Sequence, residues 1–356
     1  MRKFHALAVA AKSNETADSV RLSLAVPDES QGEFDFLPGQ HLPIQIEVDG
    51  KPLRRTYSIC STPGSAELEL GIRIQPGGIF SNFVADTLQV GDVLQVMPPF
   101  GQFHASIDPG SDRTYIAFVA GSGITPILSI IRSTLEQEPR CRFALFYGNR
   151  RQNTTMFIDD LYALKNRFPE RLQLYFLFTR EEQEYPIFGG RIDEGKATEL
   201  YKRFLGGLEP DEAFVCGPDT MIESVQKALL GLGMKHDAIH VERYGAPGKK
   251  RVETAARPPA SEHDCEVTVV MDGHRKSFRM SSAGANIVDA AATEGIELPY
   301  SCKAGVCATC RTHLSAGEVR MDANYGLEPW ELEAGYVLAC QSHPVSDTLT
   351  LDYDKT

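Results

Sequence analysis

The 356-residue chain lacks several features that would point to particular classes of protein. It has no run of about 18 apolar residues, the length that an apolar helix needs to cross a membrane. Its formal net charge is −12 and its basic residues form no long runs, which argues against binding to nucleic acid or anionic lipid. The N-terminal apolar stretch is short, contains His5 and has no good cleavage site, so we interpret it as a β-strand and not as a signal peptide. These absences predict a cytoplasmic protein with no membrane partner.

The chain is long enough for two or three domains, and its composition is that of a globular protein, with 42% hydrophobic and 24% charged residues. It contains eight cysteines, and four of them group together near the C-terminus. In a reducing compartment such a group binds metal or performs redox chemistry. The four grouped cysteines are Cys302, Cys307, Cys310 and Cys340.

Three regions with different sequence patterns predict three domains. Residues 1–108 are short alternating segments punctuated by Pro and Gly, such as "ELELGIRIQ", which predict an antiparallel β-barrel or, as the alternative, a sandwich, with a hairpin turn at Asp49-Gly50. Residues 109–245 alternate apolar strands with helical segments and predict five parallel strands in a doubly wound α/β sheet. Residues 246–262 are rich in Pro, Ala and charge, so we interpret them as a linker, and residues 263–356 begin with a hairpin pattern.

The cysteine spacing is C-x4-C-x2-C, followed by 29 intervening residues to Cys340. This spacing matches the ligand pattern of a plant-type [2Fe–2S] cluster, because a tight loop of small residues lets three thiolates converge. Structural zinc is one alternative, although it usually shows two paired C-x2-C knuckles, and disulfides are another. The segment "PYSCKAGVCATC" resembles the binding loop of plant-type ferredoxins, and this resemblance implies a β-grasp domain.

The segments "RRTYSIC", "GGIFSNFV" and "AGSGITP" together resemble the ferredoxin–NADP reductase superfamily over about residues 1–244. The resemblance implies that Arg55 pairs with a flavin pyrophosphate, Tyr57 stacks on the isoalloxazine and Ser58 bonds the ring nitrogen that receives hydride. It also implies that Gly78 and Ser81 open a helix whose N-terminal amides bind the flavin phosphates. Two phosphate-binding elements favour FAD over FMN.

"FVAGSGITP" follows the first parallel strand and opens a helix, which is the context of a pyrophosphate-binding loop. Gly121 and Gly123 would let the backbone approach the phosphates. Thr125-Pro126 and Gly217-Pro218 predict helix starts at the carboxyl edge of the sheet, where dinucleotides bind. We therefore predict that Thr125 and Gly217 also contact the nucleotide.

The reductase resemblance implies a catalytic group around the nicotinamide. In "FVCGP", Cys216 would lie beside the nicotinamide as a positioning residue. In "HVERYG", Tyr244 would cover the flavin and Glu242 would support it. Ordinary packing is the alternative for both of the last two residues.

The second and third parallel strands end in arginines where an NADH site usually carries an acidic residue. "FYGNRRQ" supplies Arg150 and Arg151, and "FTRE" supplies Arg180. A cationic pocket suits the 2′-phosphate of NADPH, so we predict NADPH over NADH. The alternative is three solvated arginines.

The domain order implies an internal electron chain, because hydride carries two electrons, a [2Fe–2S] cluster accepts one, and a flavin is needed to divide them. No di-iron carboxylate or haem-attachment motif is evident, so the terminal chemistry belongs to a partner. "GVCATC" and "NYGLEPWELEAGYVLACQ" resemble the reductase components of phenylacetyl-CoA epoxidases, which implies delivery of electrons to a multisubunit di-iron oxygenase. The alternatives are another oxygenase, a hybrid-cluster protein, or a redox-sensing interaction module.

Overall fold

A computed structural model describes residues 3–244, 263–327 and 329–355. The predicted linker at 246–262 lies outside the described residues. The chain divides into two compact units, one of residues 4–53 with 57–244 and one made mainly of C-terminal residues. Among the described helices, none combines the length and the apolar character needed to span a lipid bilayer.

An antiparallel six-stranded sheet forms the N-terminal barrel, in the order β4-β3-β6-β1-β2-β5. Side chains alternate between the core and the surface, so the inward-facing Leu22 and Leu24 of β2 are fully buried. A bridge between Ile59 and Leu70 joins the two edge regions of the sheet, as closure of a barrel requires. The strands are β1 (His5–Thr16), β2 (Ser19–Ala25), β3 (His41–Val48), β4 (Lys51–Ser58), β5 (Glu67–Arg73) and β6 (Val93–Val96).

The predicted hairpin turn between β3 and β4 is confirmed, since Asp49 and Gly50 have φ values of 50° and 72°. Two successive positive φ angles are the signature of the tight turn that suits twisted strands. Between β5 and β6 the chain forms a short helix α1 (Ile79–Asn82), which continues as a π-helical turn over Phe83–Thr87.

Five parallel strands form the second sheet, in the order β11-β10-β7-β8-β9. The chain order therefore reverses between β7 and β10, and this reversal is the position where doubly wound sheets bind ligands. The strands are β7 (Thr114–Ala120), β8 (Arg142–Asn149), β9 (Leu172–Phe178), β10 (Glu212–Cys216) and β11 (Ile239–Glu242). The helices are α2 (Ile124–Gln137), α3 (Ile158–Arg167), α4 (Glu194–Phe204) and α5 (Asp219–Gly231).

The two predicted helix starts differ slightly from those observed. Helix α2 begins at Ile124, two residues before Pro126, and α5 begins one residue after Pro218. Neither shift disturbs the helix, because the N–H groups of the whole first turn have no partner within a helix.

A network of five charged side chains joins the barrel to α2 and α3. Arg21 of β2 donates to Glu15 over 2.8 Å and to Glu69 over 3.3 Å. Arg132 of α2 donates to Glu69 over 2.8 Å, and both arginines contact Asp160 of α3. All five side chains are at least 70% buried, so water screens these pairs less than it screens surface pairs.

The C-terminal domain is a mixed sheet in the order β13-β12-β18-β14-β16, with β12 and β18 parallel, and a second small sheet pairs β15 with β17. This is a β-grasp arrangement, and with the two preceding sheets it confirms the predicted fold class. The strands are β12 (Asp264–Met271), β13 (His274–Ser281), β14 (Arg311–Ala316), β15 (Val319–Met321), β16 (Tyr336–Leu338), β17 (Ser342–Pro344) and β18 (Thr348–Asp352). The helices are α6 (Ile287–Thr293) and α7 (Pro329–Glu333).

At Gly71 of β5 the barrel closely approaches the α/β part of the same unit. A Cβ atom there would lie 2.6 Å from the ring of buried Phe157 and 2.8 Å from Thr125 Cγ2. We expect Gly71→Ala to lower the free energy of unfolding by about 1–3 kcal/mol, since neither neighbour has room to move. Gly32→Ala is the control, because a Cβ there meets no atom within 4 Å. Equal denaturant midpoints for the two variants would contradict the tight contact.

Candidate functional site

The reversal point of the parallel sheet brings two glycine-containing loops together. Gly121 follows β7 with a φ of 56°. A Cβ on Gly123 would lie 2.4 Å from the carbonyl oxygen of Cys216, and one on Gly217 would lie 3.2 Å from the Cβ of Ala120. The loops after β7 and β10 therefore pack backbone against backbone. The N-terminus of α2 starts at this point, and its unpaired amides can bind an anionic group such as a pyrophosphate.

Three hydroxyl groups connect the barrel to this loop pair. The Tyr244 hydroxyl lies 2.9 Å from Ser58 Oγ and 3.0 Å from Thr125 Oγ1. Thr125 also donates to the carbonyl of Ser122 over 3.0 Å, and Ser58 donates to Glu242 Oε2 over 3.3 Å. Three hydroxyl protons cannot fill four contacts at once, so the network can rearrange its hydrogen bonds.

Glu242 is held from two sides. Its Oε2 faces Ser58, and its Oε1 lies 3.5 Å from Nδ1 of His41, with both side chains at least 90% buried. The sequence patterns did not single out His41, which is the first residue of β3. Its edge-on contact with Phe100, at a centroid distance of 6.0 Å, fixes the imidazole plane beside the carboxylate.

Cys216 ends β10 beneath the hydroxyl network and is fully buried. Burial, and next the nearby Glu242 carboxylate, raise the pKa of the Cys216 thiol well above 9. The thiol is therefore neutral at physiological pH, and a neutral thiol suits a positioning role better than a nucleophilic one. Burial of the Tyr244 hydroxyl, with the adjacent Cys216 and Glu242, also raises the pKa of Tyr244 well above 10, although 46% of the residue surface is exposed.

The residues predicted to bind the flavin lie on β4 and around α1. Tyr57 packs on Phe80 with a ring-centroid distance of 5.3 Å, while Arg55 is exposed on the same strand. Gly78 is the N-cap of α1. The hydroxyl of Ser81 accepts from the Gln75 amide over 3.0 Å, so its side chain stabilises the turn before the helix.

The three predicted NADPH arginines lie at the carboxyl ends of β8 and β9. Arg150 and Arg151 follow β8, and the backbone amide of Arg180 donates to the Arg150 carbonyl over 2.9 Å. All three side chains are exposed, and within residues 3–244 none of them forms an ion pair or side-chain hydrogen bond with another residue. Their guanidinium groups are thus available to an anionic ligand.

The four grouped cysteines converge in the C-terminal domain as two pairs. The Cys302 and Cys307 thiols lie within hydrogen-bonding reach of each other, and so do those of Cys310 and Cys340. Two pairs of thiolates can supply two ligands to each iron of a [2Fe–2S] cluster. Among the described residues, no three His, Cys, Asp or Glu side chains surround a single point that could hold one metal ion.

Backbone and side-chain donors point at the sulfurs of the loop. The amides of Ala304 and Cys307 donate to Cys302 Sγ over 3.3 and 3.4 Å, and Thr309 Oγ1 lies 3.1 Å from Cys307 Sγ. The Cys307 thiol, followed by these amides, lowers the pKa of Cys302 to about 5, against the opposing effect of burial. The thiolate form that metals bind is therefore favoured for Cys302, whereas the Cys302 sulfur and burial raise the pKa of Cys307 well above 9. Gly305 is required in the loop, since its φ is 73° and a Cβ would lie 2.9 Å from the Ala323 carbonyl oxygen.

A buried ion pair anchors the strand that leaves the loop. Arg311 directly follows Cys310, and its Nε lies 2.7 Å from Oε1 of Glu331, which is fully buried. The guanidinium also stacks over the Tyr336 ring at 3.8 Å from the ring centroid. These contacts hold the start of β14, and with it Cys310, against α7 and β16.

A barrel joined to a dinucleotide-binding sheet, with a paired-cysteine loop in a β-grasp domain, is the architecture of an electron-transfer reductase. Three family models match the chain: an oxidoreductase FAD-binding domain over residues 6–105, an oxidoreductase NAD-binding domain over 118–227, and a 2Fe-2S iron-sulfur cluster binding domain over 269–345. The chain therefore contains binding domains for FAD, a nicotinamide nucleotide and a [2Fe–2S] cluster.

The chain is similar along its whole length to oxygenase components. It is 40% identical over 354 residues to a component of the 1,2-phenylacetyl-CoA epoxidase of Escherichia coli (strain K12), covering 99% of both chains. It is 32% identical over 356 residues to the ferredoxin reductase component of 3-ketosteroid-9-alpha-monooxygenase of Rhodococcus rhodochrous, covering 98% of this chain and 96% of the relative. The chain belongs to this family of oxygenase reductase components, and it is an NAD(P)H oxidoreductase that transfers electrons.

Solved structures share the fold. Phthalate dioxygenase reductase has a TM-score of 0.60 with 22% identity and covers 98% of each chain. An intact type IV self-sufficient cytochrome P450 monooxygenase has a TM-score of 0.70 with 20% identity, and the match covers 98% of this chain but only 41% of that longer one. At these identities the likeness concerns the fold alone.

We expect Glu331→Gln to destabilise the C-terminal domain by about 3–5 kcal/mol, because it leaves the Arg311 charge without its buried partner. The free energy of unfolding of this domain is measured by denaturant titration, with visible absorbance reporting any loss of metal. Glu333→Gln on the same helix is the matched control, since Glu333 is exposed. If both variants unfold at the same denaturant concentration, the ion pair does not hold the strand.

Proposed function

We propose that this protein transfers electrons from NADPH, through FAD and a [2Fe–2S] cluster, to a multisubunit di-iron oxygenase of the phenylacetyl-CoA epoxidase type. The observation that carries the proposal is the 40% identity to the E. coli epoxidase component across 99% of both chains. We propose a cytoplasmic location, where the thiols stay reduced. We also propose the domain boundaries 1–108, 109–245, 246–262 and 263–356 predicted above, with 246–262 as the linker.

Bound FAD would supply the chemistry that accepts two electrons as hydride and releases them one at a time to a one-electron centre. In this proposal Arg55 holds the flavin pyrophosphate and Tyr57 covers one face of the ring. Ser58 donates or accepts a hydrogen bond at the reacting ring nitrogen, supported by its contacts with Tyr244 and Glu242. Gly78 contributes the backbone amides at the start of α1, and Ser81 keeps that turn in place.

The chain's own residues would also orient the nicotinamide. Gly121, Gly123 and Gly217 leave room for the pyrophosphate at the reversal of the sheet, and Thr125 lies at the start of α2. Cys216 would position the ring below, as a neutral thiol. The ability of the Ser58, Tyr244 and Thr125 hydroxyls to change partners would let a proton move as the flavin changes charge.

The four cysteines would hold the cluster, with Cys302 and Cys307 on one iron and Cys310 and Cys340 on the other. The donor set fits this group, since the thiols are paired and amide donors face the sulfurs. The cluster would carry single electrons to the partner.

An anaerobic titration with NADPH, followed by visible absorbance, tests the electron chain. We expect FAD and one [2Fe–2S] centre to take up about three electrons together, with both absorbance bands bleaching. Cys307→Ser should remove the iron–sulfur band and the reduction of cytochrome c while preserving direct flavin reduction of ferricyanide. Cys60→Ser is the control, because Cys60 is a buried cysteine of the other unit. Loss of both activities in Cys307→Ser would contradict the proposed electron order.

The proposed preference for NADPH is supported by the exposed guanidinium groups at the ends of β8 and β9. We expect Arg180→Ala to raise the KM for NADPH by about tenfold or more and to leave the KM for NADH nearly unchanged, because a charge-assisted bond to the 2′-phosphate contributes roughly 1.5–3 kcal/mol. Steady-state ferricyanide reduction with each nucleotide measures both constants. Arg203→Ala, at an exposed arginine of α4, is the control. An equal change for the two nucleotides would rule out phosphate recognition by Arg180.

A second candidate uses the same electron chain with a different oxygenase. The 32% identity to the steroid monooxygenase component, over 98% of this chain, supports it. Oxygenase activity reconstituted with purified di-iron or steroid oxygenase components would separate the two candidates.

A further inference from the structure

Tyr353 is a half-buried aromatic residue near the cysteine pairs, and the proposed function has not used it. It directly follows β18, where the inward-facing Leu349 and Leu351 are at least 99% buried. Because side chains alternate along a strand, Tyr353 continues this inward-facing series. Its backbone amide donates to the Val270 carbonyl over 2.9 Å, which extends the pairing of β18 with β12 by one residue.

The strand register brings Tyr353 to the second cysteine pair. Leu351 pairs with Leu314 and Asp352 with His313 on the antiparallel neighbour β14. Continuing this register sets Tyr353 opposite Thr312, two residues after Cys310. The Ala339 amide in turn donates to the Cys310 carbonyl over 3.2 Å, so Cys340 is adjacent as well.

The Tyr353 hydroxyl is enclosed, and it has no hydrogen-bond partner among the described residues. Burial, followed by the nearby Cys310 and Cys340 thiols, raises the pKa of Tyr353 well above 10, so the phenol keeps its proton. An enclosed hydroxyl without an acceptor is costly, and native proteins rarely leave one. A sulfur-rich group held by the cysteine pairs would supply the missing acceptor.

We propose that the Tyr353 hydroxyl donates a hydrogen bond to a sulfur of the cluster on its Cys310–Cys340 side and thereby raises the cluster's reduction potential. The inference rests on the proposed cluster site. Hydrogen bonds to the sulfurs are one of the factors that set iron–sulfur potentials, because a donor stabilises the more negative reduced state. A higher potential favours transfer of an electron from flavin to cluster. Tyr353 would act on the reduction potential through its hydrogen bond to the sulfur.

Tyr353→Phe tests the proposal, because it removes one oxygen and keeps the ring. The midpoint potential of the full-length protein is measured by redox titration, with electron paramagnetic resonance of the reduced cluster as the readout. We expect a shift to more negative potential with unchanged iron and sulfide content. Thr268→Val is the control, since the Thr268 hydroxyl lies in the same domain on the exposed face of the sheet, 3.0 Å from Ser277 Oγ. An unchanged potential in Tyr353→Phe would overturn the proposal.

A second measurement covers the case in which Tyr353→Phe fails to fold or to hold iron. Site-specific 3-fluorotyrosine at position 353 keeps the hydroxyl and makes it a stronger donor, so the potential should shift upward. No shift in that protein would overturn the proposal as well. Wild-type protein with no iron–sulfur spectrum would instead overturn the proposed cluster site itself, and an intact spectrum with unresponsive potentials overturns only the role of Tyr353.

Discussion

The charged network between the barrel and helices α2 and α3 is the interaction on which the rest of the first unit depends. Arg21 and Arg132 share the carboxylates of Glu69 and Asp160, so two strands of the barrel, β2 and β5, and two helices of the α/β part are held by the same charges. Removing one member would leave the remaining, largely buried charges with fewer partners, which costs more than losing a surface ion pair. The network therefore keeps Ser58 of the barrel within reach of Tyr244, which follows β11.

That alignment explains why the hydroxyl network can exist. Ser58 belongs to the barrel, Thr125 to α2 and Tyr244 to the segment after β11, yet the Tyr244 oxygen lies 2.9 Å from the first and 3.0 Å from the second. The close approach of the loops after β7 and β10 needs glycine at position 123, because a Cβ would overlap the Cys216 carbonyl. Rigid backbone contacts thus support polar groups that can exchange hydrogen bonds, and this combination suits a site that handles hydride and protons.

The C-terminal domain has a different task, which is to bring four thiols together as two pairs. Positive φ angles at Lys303, Gly305 and Ala308 turn the loop so that amides face sulfur. The Arg311–Glu331 ion pair then fixes the strand next to Cys310. The central strand β18 brings Tyr353 to the Cys310–Cys340 pair. The sulfur environment therefore depends on strands far from the loop in sequence.

Much of the architecture was predictable from local patterns. The alternation of β2, the Asp49-Gly50 turn and the cysteine spacing are each set by a few neighbouring residues, so they predict strands, a hairpin and a cluster loop, while the β-grasp domain follows from the resemblance to plant-type ferredoxins. The Gly121 and Gly123 loop was recognisable for the same reason, and the exact helix starts were missed by one or two residues because first-turn amides tolerate proline at several positions. The contact of His41 with Glu242 and the enclosed hydroxyl of Tyr353 were not foreseeable. Each joins segments separated by tens to hundreds of residues, and only the folded chain decides which side chains share one desolvated space.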